Sequence, residues 1–297
     1  MNPTANQLLN ETLIHIEGAY APSTIRAYKG NFEKFIKFCE SENKQAFPAH
    51  PTTVAKFIQV LTKSGIKSAS IRLAFASIST IHKLNELPDP TQSPTAKLEL
   101  RRMHRTLGRT SKQAYGITTP TLRIMLEGTS NDLRGVRNRA LLLIAYDSLC
   151  RRSELTSLNI EDIEHNEIDS RARIRLRKSK TDQDSLGTWL LISNEAFIAL
   201  ANWLESARIK SGKIFRGISP SGEIRRSIQP AQINRIYKKI AKDAGISQSE
   251  FKNISGHSLR VGAAQDLMTS GASLPILMAR GRWSKPDTVI HYVKSAN

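Results

Sequence analysis

The chain has 297 residues, enough for two domains that each bury a core, and its 39% hydrophobic content is that of a globular protein rather than a disordered or fibrous one. The formal net charge of +18 comes from 44 Lys and Arg against 26 Asp and Glu, spread along the whole chain, and it points to a polyanionic partner, nucleic acid first. No long one-sided basic helix suits a lipid surface, the longest apolar run, Ala140 to Tyr146, is far too short to cross a bilayer, and Met1 to Ile16 has no secretory pattern.

Apolar residues recur at helical spacing from Thr24 to Glu42 (Ile25, Tyr28, Phe32, Phe35, Ile36), after Ala21-Pro22-Ser23-Thr24, which suits a helix start. Pro48 and Pro51 end that region, and helical patterns resume at Val54 to Leu61, Ala69 to Leu84 and Pro94 to Leu107. The pattern breaks between about Gly108 and Thr119, with Gly116 and Pro120 close behind, as in a basic linker. Helices are expected again at Pro120 to Glu127 and Leu133 to Leu149. Arg171 to Arg177 then alternates basic and apolar residues with period two, and Thr188 to Ile192 can pair with it, giving a β-hairpin whose turn carries Lys178, Lys180 and Thr181. Helical patterns return at Glu195 to Ile209, Pro230 to Ala244, His257 to Ser270, Ser273 to Ala279 and Pro286 to Val293. With only Cys39 and Cys150, neither a structural disulfide nor a cysteine zinc site is expected, and the protein reads as intracellular.

Several residues can carry chemistry. On a helix, His257 and Arg260 project from one face toward the same spot, and Arg151 and Glu154 repeat that geometry. Taken singly, each pair has a plainer reading as surface residues or an intrahelical ion pair, Lys180 as a solvated charge, and Tyr292 as a half-buried core residue. The ordered set Arg151, Lys180, His257, Arg260, Trp283 and Tyr292 is a different matter. With Ser-Gly-His-Ser-Leu-Arg-Val-Gly-Ala-Ala at 255 to 264 and Gly281-Arg282-Trp283, it resembles the tyrosine recombinases, also called phage integrases. The likeness is closest over Ser255 to Tyr292 and extends, more weakly, over nearly the whole chain.

The resemblance implies a mainly α fold: an all-helical, SAM-like core-binding domain over 1–109, a linker over 110–119, and a catalytic domain over 120–297. The latter is mostly helical with a small antiparallel β-hairpin or sheet, and the two domains form a C-shaped DNA clamp. It also implies that Tyr292 attacks a backbone phosphorus to form a 3′-phosphotyrosyl link, with strand exchange through a Holliday junction. Arg151 and Arg260 then stabilise charge on the phosphate oxygens, His257 helps remove the tyrosine proton, Lys180 protonates the departing 5′-oxygen, Trp283 bonds the phosphate or packs the site, and Glu154 supports its neighbours. No cofactor, metal or ATP is called for, and neither a nucleotide motif nor an acidic metal cluster stands out.

The expected partner is double-stranded DNA with inverted-repeat half-sites, bound by a protein that is monomeric in solution, dimeric on each site and tetrameric in the synapse, in the cytoplasm and nucleoid rather than at a membrane. Candidate DNA contacts are Arg26, Lys67 and Arg72 in the first domain and Arg225, Arg226, Asn234, Lys238 and Lys239 in the second. Two departures stand out. The chain ends five residues after Tyr292, where a similar family member carries a further helix that docks into a neighbouring subunit, which puts cyclic tetramer assembly in doubt. Arg282 stands where that relative has glycine, and its charge is expected to tighten phosphate binding. A catalytically silent DNA-binding protein, a type IB topoisomerase and a hairpin-forming resolvase are the rival readings.

Overall fold

A computed structural model describes residues 4–109, 113–166, 171–179 and 187–293. The chain divides into two compact units, Met1–Lys112 and Gln113–Asn297.

The first unit is helical: α1 (Ala5–His15), α2 (Pro22–Ser41), α3 (Pro51–Lys63), α4 (Ser68–Leu84) and α5 (Pro94–Leu107). Proline in the first turn of α2, α3 and α5 presets the backbone where no intrahelical N–H bond is lost. The Ser93 hydroxyl caps α5 by accepting from Ala96 N, and Gly108 ends it with φ 73°. The core gathers Phe32, Phe35, Ile36, Phe57, Ile58, Ile71, Ile78 and Ile81. Buried His82 accepts from Ala49 N (3.0 Å) through Nε2 and donates to Ile78 O (2.8 Å) through Nδ1, so the neutral ring satisfies two backbone groups. Helix α1 was not among the expected elements. Its buried face is Leu9, Thr12 and Leu13, too short and too polar in the middle to read as periodic.

The second unit contains α6 (Thr119–Glu127), α7 (Leu133–Ser148), α8 (Arg152–Leu155), β1 (Ile163–Asn166), β2 (Arg171–Leu176), β3 (Thr188–Ile192), α9 (Asn194–Ser206), α10 (Pro230–Asp243), α11 (Gln248–Phe251), α12 (Ser258–Thr269), α13 (Leu274–Gly281) and α14 (Pro286–Val293). The expected hairpin is part of a three-stranded antiparallel sheet in the order β1-β2-β3. Ala172, Ile174 and Leu176 of β2 face the core with Leu190 and Ile192 of β3, which is the alternation visible in the sequence. Strand β1 escapes such reading because Ile163 is its only apolar residue and the rest of it is exposed.

Helix α7 is buried on nearly every side from Ala140 to Ala145, as befits the central helix of a unit. A second cluster, Leu149, Ala263, Ala264, Leu277, Trp283, Val289 and Val293, packs α12, α13 and α14 around the end of α7. Residues 113–118, expected as linker, lie within this unit: Tyr115 N donates to Asn253 O (3.1 Å) and Ile117 N to Ser258 O (3.0 Å), with Ile117 fully buried. This strap crosses α12 so closely that a Cβ on Gly262 would stand 1.9 Å from Ile117 O.

Gly262→Ala is therefore expected to destabilise the second unit by about 3 kcal/mol, because only backbone can give way. Gly30, in α2 with open space around it, gives the opposite sign: Gly30→Ala should stabilise the first unit by roughly 0.5–1 kcal/mol. Thermal unfolding of both variants beside the parent checks the pair.

Candidate active site

The site begins where α7 stops. Leu149 takes the left-handed conformation (φ 49°) and turns the chain out of the helix toward Cys150 and Arg151, leaving the last carbonyls of α7 without intrahelical donors. Arg151 is the N-cap of α8, with extended backbone (φ −69°, ψ 152°), so it does not share a helical face with Glu154 as the spacing suggests. The two meet by another route. The Glu154 carboxylate folds back to accept from Arg151 N (2.9 Å) and from Arg151 Nη1 (2.6 Å), and its side chain is only 4% exposed.

His257 is likewise the N-cap of α12 rather than a residue within it. Arg260, in the first turn of α12, is 1% exposed. It donates to Leu149 O at the end of α7 and to Gly281 O at the end of α13, so two helix C-termini, each carrying partial negative charge, converge on one guanidinium. Its face lies 4.5 Å from the Trp283 ring centroid and 5.9 Å from that of Tyr292. Burial and then the neighbouring Arg151 lower its pKa to about 10, so it remains charged at neutral pH.

Tyr292 sits half-buried in the last turn of α14, its ring 5.2 Å from that of Trp283. Gln113 Nε2 donates to the Tyr292 carbonyl at 2.8 Å, and Gln265 reaches the same oxygen at 3.5 Å. The Trp283 indole is buried and packs against Gly281, where a Cβ would stand 1.9 Å from the ring. Partial desolvation, followed by Arg260, Arg152 and Arg151, pushes the His257 pKa below the ordinary imidazole value, so the ring is neutral at neutral pH. Cys150 is a buried free thiol against Arg282, its pKa pushed up to about 11 first by burial.

Arg282, whose charge is expected to tighten phosphate binding, is engaged by protein groups instead. Its side chain is 8% exposed and turns inward, donating to Glu154 Oε2 (3.0 Å), Ser148 O (3.0 Å), Leu149 O (3.1 Å) and Arg280 O (3.2 Å). Arg151, Arg260 and Arg282 thus converge around the single carboxylate of Glu154 among the described residues. Such an excess of buried positive charge suits an anion that accepts from guanidiniums. Among the described residues no group of three or more His, Cys, Asp or Glu is placed to hold a metal ion. Lys180 lies outside the described residues.

The surface candidates are dispersed over both units. In the first, Arg26 is exposed on α2, while exposed Lys67 and Arg72 lie at the start of α4. Sequence reasoning missed the basic cleft of about 620 Å³ lined by Leu98, Arg101, Arg102, His104, Arg105 and Arg109 on and just after α5. Its signal was the density of Arg and His in that segment. In the second unit Arg225 and Arg226 are exposed before α10. The α10 candidates are more constrained than a solvated basic helix: Lys239 pairs with Asp243 (2.9 Å), Lys238 reaches Lys252 O (3.4 Å) and the face of Phe251, and half-buried Asn234 keeps Oδ1 away from solvent.

The phage integrase family profile matches residues 117–297, and that of the phage integrase N-terminal SAM-like domain matches residues 10–85. The chain is 26% identical over 296 residues to recombinase cre of Escherichia phage P1, covering 93% of this chain and 85% of that protein. It is 25% identical over 293 residues to the integrase/recombinase xerD homolog of Selenomonas ruminantium, covering 95% and 84%. In fold it is similar to the XerH site-specific recombinase bound to difH substrate (TM-score 0.69, 16% identity, 98% of this chain and 81% of that one). The Tn1549 transposon integrase in complex with transposon right end DNA is similar too (TM-score 0.68, 13% identity, 98% and 94%). The first profile takes in more than half of the chain and every described residue of the site from Arg151 to Tyr292, so the chain belongs to the phage integrase family and is an enzyme of the tyrosine recombinase class.

Proposed function

We propose that this enzyme cuts and rejoins DNA at specific sites through a transient 3′-phosphotyrosine at Tyr292, exchanging strands through a Holliday junction. The observation that carries this reading is the excess of buried guanidinium charge beside a tyrosine ring, which fits a phosphodiester and a phenol nucleophile. The solved relatives bound to a difH substrate and to transposon end DNA support DNA as the partner.

In the proposed step the Tyr292 oxygen attacks phosphorus while the bond to the 5′-oxygen breaks. The phenol proton passes to neutral His257 or to solvent, and the departing 5′-oxygen takes a proton from Lys180. A phenol has a reference pKa of about 10 and a primary alcohol leaves poorly as alkoxide, so both ends of the displacement need a proton partner. Arg151 and Arg260 take the charge that grows on the non-bridging oxygens. The phosphotyrosyl bond keeps the energy of the phosphodiester, so a 5′-hydroxyl from another strand can reverse the step without ATP or metal.

The first unit serves as core-binding domain and the second as catalytic domain. Arg26, Lys67, Arg72, Arg225, Arg226, Asn234, Lys238 and Lys239 are proposed DNA contacts, and a dimer on each inverted-repeat site pairs into a tetramer. The lysines and arginines among them are proposed as phosphate contacts, the commoner role of a basic side chain on a helix surface.

The test uses labelled DNA flanking the protein's own gene, in EDTA, with a denaturing gel for covalent complex. The wild type should form one and Tyr292→Phe none, while both shift the DNA in a native gel. Equal shifts with no covalent complex from the wild type would favour a silent DNA-binding protein. Arg260→Lys keeps a charge but cannot bridge both carbonyls, and should lower single-turnover cleavage by at least 100-fold, about 3 kcal/mol.

The cleavage rate should also report His257. A base acts in its neutral form, and the lowered pKa keeps the ring neutral to more acidic pH. The rate is expected to rise to half its plateau below pH 6.5 and stay level through neutrality, and His257→Gln should remove that inflection.

A further inference from the structure

Arg282 ends α13 in the left-handed conformation (φ 54°, ψ 48°), which glycine adopts freely and a residue with a Cβ adopts at a cost. An arginine kept in such a position points to a task for its side chain. The geometry is one-directional. Arg282 Nη1 is held by Ser148 O (3.0 Å) and Arg280 O (3.2 Å), and Nη2 by Leu149 O (3.1 Å) and Glu154 Oε2 (3.0 Å). Glu154 then uses Oε1 for Arg151 Nη1 (2.6 Å) and shares Oε2 with Arg151 N (2.9 Å). Arg151, with 18% side-chain exposure, is the outermost member of this chain of contacts, and Arg282 and Glu154 lie beneath it.

We propose that Arg282 is a positioning residue for phosphoryl transfer: from beneath the site it fixes the Glu154 carboxylate and, through it, the Arg151 guanidinium that meets the scissile phosphate. The inference rests on the function proposed above. It assigns to Arg282 a role different from phosphate binding, since both of its Nη groups are taken by protein acceptors beneath Arg151, and its Nε is buried with no hydrogen-bond partner among the described residues.

Glu154 gives the role a signature of its own. Facing it are Arg151 at the start of α8, Arg282 at the end of α13, Arg260 and His257 at the start of α12, and the neutral Cys150 thiol. Burial pushes the carboxyl pKa up, but Arg282, and then the bonds from Arg151, outweigh it and hold the group below its ordinary value. Loss of Arg282 must therefore raise that pKa, so the carboxylate that holds Arg151 is lost at a higher pH.

The experiment is single-turnover cleavage against pH for the wild type, Arg282→Gly and Arg282→Lys, with native-gel DNA binding and thermal unfolding on each protein. The same two substitutions are repeated in His257→Gln, where the imidazole inflection is gone and only the carboxylate inflection is left. Arg282→Gly relieves the backbone and is expected to cleave roughly 10- to 100-fold more slowly with DNA binding retained. Its carboxylate inflection should move to higher pH, and Arg282→Lys, which restores a charge beside Glu154, should recover part of both effects. Wild-type rate and inflection in Arg282→Gly would overturn the proposal. So would a slower rate that follows a lower melting temperature, with the inflection unmoved and no recovery by lysine, because that is a role in stability alone. If the wild type itself forms no covalent complex, the proposed function falls and this inference with it.

Discussion

A guanidinium taken out of water must be answered by negative charge, and Arg260 is answered mainly by dipoles. The carbonyls at the ends of α7 and α13 receive its donors, and the rings of Trp283 and Tyr292 lie on its faces. Carbonyl ends and aromatic faces lower the cost of burial without cancelling the charge, so the centre stays electropositive. Much of the second unit can be understood from this requirement. Helix α7 must stop at Leu149 to present its last carbonyl, α13 must stop at Gly281 to present another, and α12 must begin beside both.

The same requirement explains the placement of small residues and sharp turns. Gly281 lets the Trp283 ring lie on the backbone, and Gly262 lets the strap at Ile117 cross α12. The strap fixes α12 through Ile117 N on Ser258 O, two residues from Arg260, while Gln113 holds the carbonyl of Tyr292. Anchors of the cation and of the tyrosine therefore come from one short segment with no regular structure.

Much of this was legible in the sequence because periodicity reports burial. Phe32, Phe35 and Ile36 announce α2, and alternation from Arg171 to Leu176 announces β2. Elements with little buried apolar surface left no such trace, as β1 and α1 show. The ordered set from Arg151 to Tyr292 named residues that, Lys180 aside, the fold brings close together, but spacing did not give their backbone states. Spacing alone places Arg151 and His257 inside helices, whereas each is an N-cap whose contacts depend on the turn before it. Arg282 was misread for a related reason. Sequence gives a charge but not its direction, and only the left-handed turn after Gly281 sends this one inward.

Cys150 lies at the bottom of this cluster, 3.7 Å from Arg282 Nη2, in surroundings whose cations favour a thiolate. Burial outweighs them, and the thiol pKa stands at about 11. Oxidants and alkylating reagents attack the thiolate, and a protonated, enclosed sulfur offers them almost none. The electropositive centre is thereby insulated from redox chemistry, and damage by oxidants at this cysteine requires the native packing to open first.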